Sequence, residues 1–501
     1  MKRKRIIRAA ATLLVFALLM LGCGQILRFK NTDSIRKMAS FYDQTPNTVD
    51  VLTLGTSHAF QGVNTAVLWD EFGIAGYDLC TAAQHIAGTY YYLEEALKTQ
   101  TPKAIVLDAF GMCYQSEYPT TAVGIKTTYG MKWSRTKVDA IRASFDPEKY
   151  GKQFLFEFLQ SHARYNDLSY ADFAPLQGNP NVYAHHKGFY CYFKTKPMEL
   201  SDYAGVEGIS PVTEKNEEYF GKIVDLAREK QIPLICVAIP YDADNGNVRT
   251  LRCVKELCEI KNVPFYNFVE TERGLLNLDS LTDFADTSHL NYLGSTKLTR
   301  FLGKLLREQY GVPDRRGNDA YSSWEDDAAV YRAELANHRL TEEADPAAYR
   351  SAVAQDRYVI MMTVNDFTSP GNDCAAQKAV DAYLETFGVK YKYWQTLCGA
   401  WAVEDGRLTT LDPRVKNAFL ERALPGRHDL YVKVTGSEAD EDLRTTMYFD
   451  GTAVSNEQKG LCIAVYDTFT QSLADIAYYS TADGAFTHVA LSDLVDQTNS
   501  G

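Results

Sequence analysis

Short apolar runs alternate with helix-like stretches between residues 49 and 310. The runs have the length of buried strands, and they are Val49–Leu54, Tyr77–Cys80, Ala104–Asp108, Leu234–Ile239 and Pro264–Phe268. Helical spacing of apolar residues lies between them, around Leu68 and Trp69 and over Thr89–Leu97. Strands that alternate with helices predict an α/β domain with a parallel sheet and helices on both faces.

Two further helices are predicted at the end of this region. Ser210-Pro211 is typical of a helix start, with Ser as the cap and Pro in the first turn. The last helix has the apolar stripe Leu298, Phe301, Leu302, Leu305 and Leu306. Spacing of three and four residues along this stripe predicts one buried helix face.

The first 30 residues predict a membrane anchor. Ala9–Leu27 is an uninterrupted apolar stretch just long enough to span a hydrocarbon core of about 30 Å. More Lys and Arg precede it than follow it, so the N-terminus is expected in the cytoplasm and the rest of the chain outside. A cleaved signal peptide would give the same export. Met20-Leu21-Gly22-Cys23 weakly matches a lipoprotein box, so lipidation of Cys23 is the alternative anchor.

The pattern changes twice along the chain. Residues 114–209 form an insert rich in Tyr and Phe within a domain expected over 31–312. Residues 313–356 are charged, Ala-rich and helical, and they predict a helical connector. From 357 to 501, strand-like runs return around one helix and predict a smaller β-rich α+β domain.

Composition narrows the class of protein. The 501-residue chain is 46% hydrophobic, enough for more than one core, and its net charge of −12 makes nucleic acid an improbable partner. Nine of the ten cysteines follow Cys23, an odd number without a Cys-x-x-Cys pair. This count argues against a zinc site and against a complete disulfide framework.

Two short motifs suggest serine chemistry. Gly55-Thr56-Ser57-His58 follows the first predicted strand directly, and Asp286-Thr-Ser-His289 precedes the last predicted helix. A serine nucleophile needs a base within hydrogen-bond reach and donors for the oxyanion. A strand-to-helix turn has free amides that supply such donors. The alternative is that Ser57 only caps a helix and His289 only caps or packs.

Together the motifs resemble the SGNH (GDSL-like) hydrolase superfamily. The resemblance implies a flavodoxin-like fold in which Ser57 is the nucleophile, His289 the general base and Asp286 the residue that orients the imidazole. The variant first block, Gly-Thr-Ser-His, is similar to the membrane-anchored cell-envelope branch. That branch includes the proteins of D-alanyl transfer to lipoteichoic acid and of alginate O-acetylation.

The oxyanion donors depart from the family pattern, which has an Asn after the third strand. This chain has Asp108-Ala-Phe-Gly111 there instead. We expect the amides of Ser57 and His58 as backbone donors and the Gln84 side chain as a further donor. A purely structural role for Gln84 at a helix cap is equally compatible with its position. His58 itself is expected to point away from Ser57 along the new helix.

No metal or cofactor is expected. His185-His186 in the insert invites a metal interpretation, but adjacent histidines rarely share one ion and no carboxylate is spaced to join them. We expect the insert to cover the active-site face, where its aromatic residues would stack on sugar rings or simply pack.

Residues 357–492 resemble the interleukin-like epithelial–mesenchymal transition inducer domain. The resemblance rests on the strand before Asp366, the turn after Trp401 and the strand that ends Val465-Tyr-Asp467. It implies binding of carbohydrate or a partner without catalysis, since His428 and His488 are isolated in the sequence.

These patterns predict an extracytoplasmic serine esterase or O-acyltransferase that acts on ester-linked acyl groups of cell-envelope polysaccharide. A partnership with a membrane-bound acyltransferase is a further possibility. The alternative is a non-catalytic glycan-binding or assembly protein on an SGNH scaffold.

Overall fold

The computed structural model describes most of the chain, in the ranges 2–27, 33–150, 162–166, 168, 185–365, 375–390, 398–412, 418–435, 444–455 and 460–490. The chain divides into two compact units, Met1–Ala328 and Ala329–Gly501. The division falls inside the region expected to be a helical connector.

The first unit contains a five-stranded parallel sheet. Its strands are β1 (Val51–Gly55), β2 (Gly76–Cys80), β3 (Ala104–Asp108), β4 (Leu234–Ala238) and β5 (Phe265–Asn267). The strand order is β2-β1-β3-β4-β5, the order of flavodoxin-like folds. The prediction of an α/β domain with a parallel sheet is confirmed.

Helices precede, connect and follow the strands of this sheet. They are α1 (Lys2–Leu27), α2 (Asp33–Tyr42), α3 (Ser57–Gly62), α4 (Thr65–Phe72), α5 (Ile86–Ala96), α6 (Thr121–Thr128), α7 (Arg135–Ser144), α8 (Pro147–Tyr150), α9 (Glu214–Glu229), α10 (Asn245–Ile260) and α11 (Tyr292–Glu308). The connections β1→β2 and β2→β3 cross the sheet in opposite directions. Because such crossovers are right-handed, α4 and α5 cover opposite faces. Helix α4 packs with α11, and α5 packs with α9.

The last helix buries its predicted stripe. Leu298, Leu302 and Leu306 of α11 are fully or almost fully buried in the core that also contains Val51 and Leu68, and Phe301 packs at the edge of that core. Burial of each large apolar side chain stabilises the fold by about 1.5–3 kcal/mol. Helix α11 is therefore held firmly against the sheet, and so is the loop before it.

The helix predicted to start at Ser210-Pro211 begins three residues later. Helix α9 starts at Glu214, and the Thr213 side chain caps it by accepting a hydrogen bond from the amide of Asn216. The Ser210 amide instead donates to the carbonyl of Arg249 in a loop contact. Glu214 and Glu217 in the first turn favour the observed start because they complement the helix dipole.

Helix α1 is long and apolar enough to cross a membrane over Lys4–Gly24. Cys23 lies near its end and is exposed. The nine cysteines that the structure describes are free thiols, and Cys80 and Cys236 are buried in strands β2 and β4. Cys374 lies outside the described residues.

The second unit contains two antiparallel sheets. The six-stranded sheet has the order β15-β14-β13-β6-β7-β8, and the four-stranded sheet has the order β12-β11-β10-β9. The strands are β6 (Tyr358–Asn365), β7 (Cys398–Glu404), β8 (Arg407–Leu411), β9 (Phe419–Leu424), β10 (His428–Thr435), β11 (Arg444–Phe449), β12 (Thr452–Ala453), β13 (Gly460–Asp467), β14 (Ser472–Ser480) and β15 (Phe486–His488). The helices here are α12 (Ser322–Leu340), which begins in the first unit, α13 (Pro346–Ala352) and α14 (Ala375–Glu385).

Strand β6 shows how both faces of the larger sheet are covered. Ile360 and Met362 face a core shared with α13 and α14, whereas Val359 and Met361 face a core shared with the four-stranded sheet. Because both faces of β6 are buried, its sequence is a nearly continuous apolar run. The prediction of a β-rich second part is confirmed, although Asp366 and Leu491 lie outside the described residues.

Short 3₁₀ helices complete the described structure. They are Ala109–Met112, His162–Asn166, His185–Gly188, Arg273–Leu276, Asp319–Tyr321 and Pro425–Arg427. The first of these follows β3 directly, at the carboxyl edge of the parallel sheet. Loops at this edge are where ligands bind in open α/β sheets.

Candidate active site

Ser57 is the first residue of α3 and follows the end of β1 by two positions. Gly55 has φ +144°, and a Cβ there would lie 2.4 Å from the Cβ of Asp108, so only glycine fits. Thr56 caps the helix, because its hydroxyl accepts a hydrogen bond of 3.2 Å from the amide of His58. The sequence Gly-Thr-Ser-His therefore folds as a tight strand-to-helix turn.

Asp108, at the end of the neighbouring strand β3, holds this turn. Its Oδ2 accepts from the Thr56 amide at 3.1 Å and from the Thr56 hydroxyl at 2.7 Å, and its Oδ1 accepts from the Phe110 amide at 3.0 Å. Burial raises the pKa of Asp108, and the hydrogen bonds from Thr56 and Phe110 offset only part of that rise. Sequence reasoning noted this position only for its missing Asn. An acidic residue at the end of a buried strand was the available signal.

Asp286 and His289 lie in a short loop that two contacts close. The Ala285 amide donates to the His289 carbonyl at 2.9 Å, and a β-bridge joins Phe284 to Leu290. Asn291 then caps α11 by accepting from the amides of its first turn. The buried helix thus holds the loop in place at the carboxyl edge of the sheet.

The structure brings Ser57, Asp286 and His289 together across 232 residues of sequence. The Nε2 of His289 lies 2.9 Å from the Oγ of Ser57. The Nδ1 of His289 lies 2.9 Å and 3.1 Å from the two carboxylate oxygens of Asp286. With its proton on Nδ1 toward the carboxylate, the imidazole presents a free Nε2 lone pair to the serine hydroxyl.

Asp286 is arranged to stay ionised. Partial burial would raise its pKa, but the Ser288 amide at 2.8 Å, the His289 ring and the Lys194 ammonium at 3.9 Å lower the pKa further, and the net shift is downward. A carboxylate that keeps its charge holds the histidine in one tautomer and stabilises the imidazolium when it forms.

The His58 ring lies in an aromatic cluster that includes the candidate base. Its ring stacks on Phe110 at 4.0 Å and meets Tyr241 at 4.6 Å and His289 at 5.5 Å, edge to face. Burial, and secondarily the neighbouring His289, lower the pKa of His58 to about 3, although Asp286 opposes this shift. His58 is therefore a neutral ring at all ordinary pH values.

The three groups expected to donate to the oxyanion differ in whether they already make a hydrogen bond. The His58 amide is engaged with the Thr56 hydroxyl at 3.2 Å. In the described part of the chain, the Ser57 amide makes no hydrogen bond. Gln84 is fully buried, where its Oε1 accepts from Thr81 at 2.7 Å and its Nε2 donates to Thr89 at 3.0 Å. These contacts of Gln84 brace the start of α5 and fit its structural interpretation.

The described end of the insert lies beside the three residues. The Tyr190 amide donates to the Phe60 carbonyl at 2.7 Å, and the Tyr292 amide donates to the Tyr192 carbonyl at 2.8 Å. The Tyr192 ring lies 6.0 Å from the His289 ring and 5.3 Å from the ring of Tyr190, which is 55% exposed. Tyr192 thus lies beside the candidate base, and Tyr190 lies beside Tyr192. Sequence reasoning placed the insert over this face without singling them out.

The histidine pair of the insert lies elsewhere. The His186 carbonyl accepts a short hydrogen bond from the Thr65 hydroxyl, and the ring is buried. The His185 side chain lies outside the described part. Among the residues described, no cluster of three or more His, Cys, Asp or Glu side chains could hold a metal ion.

The fold and this geometry define a class of protein: a flavodoxin-like α/β unit with a Ser-His-Asp arrangement at its carboxyl edge, joined to a β-rich unit. No model of a known protein family matches the chain. Comparison with curated proteins gives no significant match.

Proposed function

We propose that this protein is a serine esterase or O-acyltransferase of the SGNH type, which acts through Ser57, His289 and Asp286. The observation that supports it best is the continuous chain of contacts from Ser57 through His289 to Asp286, at 2.9 Å on each side of the imidazole. The 2-1-3-4-5 strand order and the position at the carboxyl edge of the sheet also support it.

In the proposed reaction, the Ser57 Oγ attacks the carbonyl carbon of an ester while the His289 Nε2 takes the hydroxyl proton. The Ser57 amide stabilises the oxyanion that forms. His289 then gives its proton to the leaving alcohol oxygen, and an acyl-enzyme remains. Water or a second hydroxyl then attacks the acyl carbon with His289 again as the base. The bond from that carbon to the Ser57 Oγ breaks, and His289 returns the proton to Oγ, which completes hydrolysis or acyl transfer.

The proposed substrate class is an acyl ester of cell-envelope polysaccharide. A helix able to span a membrane, Tyr192 beside the base and the exposed Tyr190 next to it support an envelope substrate. In this proposal α1 anchors the protein, its basic tip stays in the cytoplasm and the rest of the chain lies outside. Lipidation of Cys23 is the alternative anchor. A membrane-bound acyltransferase would be the partner that supplies acyl groups for transfer.

The test is fluorophosphonate labelling of the full-length protein in detergent, with mass-spectrometric mapping of the adduct. We expect one adduct on Ser57, absent from Ser57→Ala and His289→Ala. Ser288→Ala and His428→Ala are matched controls, since they remove a serine beside the triad and a histidine of the second unit. These two variants should label at the wild-type rate.

A folded wild-type protein that does not label, or labels equally in Ser57→Ala, would contradict the proposal. Circular dichroism of each variant separates loss of the nucleophile from loss of the fold. Mass spectrometry of the intact N-terminus decides between the helical anchor and a lipidated Cys23.

One observation favours a second candidate, a non-catalytic glycan-binding or assembly protein on the same scaffold. Of the three expected oxyanion donors, His58 and Gln84 are engaged in structural hydrogen bonds. Loss of a single oxyanion donor costs about 10²–10³ in turnover. A binding protein would retain its ligand in Ser57→Ala and would cleave no ester in the wild type, and this pair of measurements separates the candidates.

A further inference from the structure

The last part of the insert connects the helix of the candidate nucleophile to the helix that follows the candidate base. The Tyr190 amide donates to the carbonyl of Phe60 on α3, the helix that begins with the nucleophile. Two residues later, the Tyr192 carbonyl accepts from the amide of Tyr292, the first residue of α11. We call residues 186–196 the strap, because this one segment is hydrogen-bonded to both helices.

The strap also holds the loop that contains the base. The Asn291 side chain, which caps α11, donates to the Thr195 hydroxyl at 3.0 Å. The Lys196 amide donates to the carbonyl of Phe284 at 2.8 Å, and Phe284 forms the β-bridge that closes the loop. The position of the base relative to the nucleophile therefore depends on the strap as well as on the sheet.

The strap begins with a turn of unusual backbone conformation. His186, Lys187 and Gly188 have positive φ angles of +63°, +48° and +86°. For a residue with a Cβ this conformation costs free energy, and it persists only where the surrounding contacts impose it. At the third position glycine is required, because a Cβ on Gly188 would lie 2.1 Å from the carbonyl oxygen of Asp78 in β2. Contacts of the neighbouring side chains must therefore hold this turn.

The Lys187 side chain makes such contacts. It is only 5% exposed, and its ammonium donates to the Ser323 hydroxyl at 2.9 Å and to the Gln44 side-chain oxygen at 3.2 Å. The ammonium also lies 3.3 Å from a carboxylate oxygen of Asp327 and 4.4 Å from the centre of the Trp324 ring. All of these residues belong to the first unit. The side chain is held firmly, because its departure would leave the Asp327 charge uncompensated.

We propose that Lys187 is a positioning residue for the contact between Ser57 and His289, and that it acts through the strap. Because its ammonium fixes the turn at the start of the strap, the strap meets α3 and α11 in one register. Reaction of a serine with a histidine as base depends on their mutual geometry, and a displacement of about 1 Å can lower the rate about 100-fold. This inference rests on the proposed esterase or acyltransferase function, and one readout of its test does not depend on activity.

The test is the kinetics of fluorophosphonate labelling of full-length Lys187→Met in detergent, beside the wild type. We expect the limiting labelling rate to fall about 10- to 100-fold. The probe concentration that gives half of this rate should change by less than about twofold, because a positioning residue affects the reacting groups and not binding of the probe. The double variant Lys187→Met/Asp327→Asn removes both charges and should show the same split, and it keeps the test decisive if the single variant does not fold.

Arg315→Met is the matched control. Arg315 forms an ion pair with Asp50 in the same unit, at 2.7 Å and 2.8 Å, and the Asp50 side chain is 3% exposed. Since Asp50 directly precedes β1, this pair lies at the amino edge of the sheet, opposite the candidate site. Its loss should lower the urea midpoint as the loss of Lys187 does, but the labelling rate should stay within about twofold of wild type.

Hydrogen–deuterium exchange of the same variants gives the readout that does not depend on activity. The amides of Tyr190, Lys196 and Tyr292 make the hydrogen bonds between the strap and its neighbours. They should exchange faster in Lys187→Met and at the wild-type rate in Arg315→Met. Unchanged exchange or an unchanged labelling rate in Lys187→Met overturns the inference, as does an equal loss of labelling in Arg315→Met. If the wild type does not label, the esterase proposal fails, and exchange alone decides whether Lys187 holds the strap.

Discussion

Each unit contains a histidine paired with an aspartate, and the two pairs differ in what faces the second ring nitrogen. In the first unit, His289 meets the hydroxyl of Ser57 at 2.9 Å. In the second unit, the Nδ1 of His488 lies 2.8 Å from Asp475, and its Nε2 lies 2.8 Å from the carbonyl of Glu343. A backbone carbonyl can only accept a hydrogen bond, so His488 must donate through Nε2 and offers no lone pair there.

The two aspartates also differ in their exposure to solvent. The Asp286 side chain is 30% exposed and has the Lys194 ammonium nearby, whereas Asp475 is fully buried and also accepts from the Tyr349 hydroxyl at 2.8 Å. A histidine–aspartate pair that is partly exposed to solvent can change its protonation during a reaction. A buried histidine–aspartate pair whose hydrogen-bond partners are all protein groups contributes to stability. A histidine–aspartate contact is therefore a sign of catalysis only when the third partner is a reactive group.

The largest expected contrast comes from the same substitution in each pair. We expect Asp286→Asn to lower the fluorophosphonate labelling rate by about 10³–10⁴, because an amide favours the wrong histidine tautomer. Asp475→Asn should leave labelling within about twofold and destabilise the second unit by about 2 kcal/mol, since charge-assisted hydrogen bonds are lost. Labelling kinetics and urea unfolding measure the two effects. Equal loss of labelling in both variants would contradict the comparison.

A second expected effect is a pH-dependent loss of stability in His488→Gln. Burial lowers the pKa of His488, but the hydrogen bond and charge of Asp475 and the Glu343 carbonyl raise it further, and the net shift is upward. The stabilisation from the charged pair is therefore complete below the unfolded histidine pKa of about 6.5 and is lost as pH rises through the folded pKa. Urea midpoints of wild type and variant should differ most near pH 5 and converge toward pH 9. A difference that grows with pH would refute this assignment.

A smaller effect is expected at His58, a buried histidine that belongs to neither pair. His58 has a pKa of about 3, so it does not titrate between pH 5 and 9. His58→Phe keeps a ring against Phe110, and the labelling rate should fall by less than about 100-fold, the lower limit for loss of a general base. The shape of the pH profile should not change. Disappearance of a pH limb in this variant would make His58 the base in place of His289.

The smallest expected effect concerns Lys194, the exposed cation beside Asp286. The pKa of Asp286 is lowered in part by Lys194, whose side chain is 59% exposed. Because a depressed carboxyl pKa sustains activity as pH falls, Lys194→Gln should move the acid limb of labelling upward by less than about one pH unit. The shift should vanish in 1 M salt, where exposed charges are screened. A shift of the same size in high salt would contradict the electrostatic explanation.

The sequence predicted much of the local structure. The five parallel strands begin and end within two residues of their expected bounds, and the bounds of β3 are those predicted. Such runs are informative because buried strands require continuous apolar residues. The start of α9 was missed, because two capping residues, Ser210 and Thr213, competed within four positions. Local sequence does not decide between them, since the choice depends on the loop contact of Ser210 with Arg249.

Some residues of the candidate site could likewise be selected from the sequence, and others could not. Spacing and motif were enough to select Ser57, Asp286 and His289, because a strand-turn-helix and a loop-helix junction are local features. Asp108, Tyr190 and Tyr192 were not selected, since their proximity depends on which strands are neighbours and on the return path of the insert. The engagement of the His58 amide by Thr56 and of Gln84 by Thr89 likewise depends on side-chain packing.

The amino-acid order alone thus determined the alternation of strands and helices, the apolar N-terminal helix and the residue types available for acyl chemistry. These follow from periodicity and backbone preference, which act over a few residues. Three-dimensional packing was needed to pair His289 with a hydroxyl and His488 with a carbonyl, and to set Tyr431 beside Tyr448 on an outer face. The two histidine contacts join residues more than 100 positions apart, and the cost of burying unpaired polar groups selects them. The tyrosine contact follows from the register of β10 with β11.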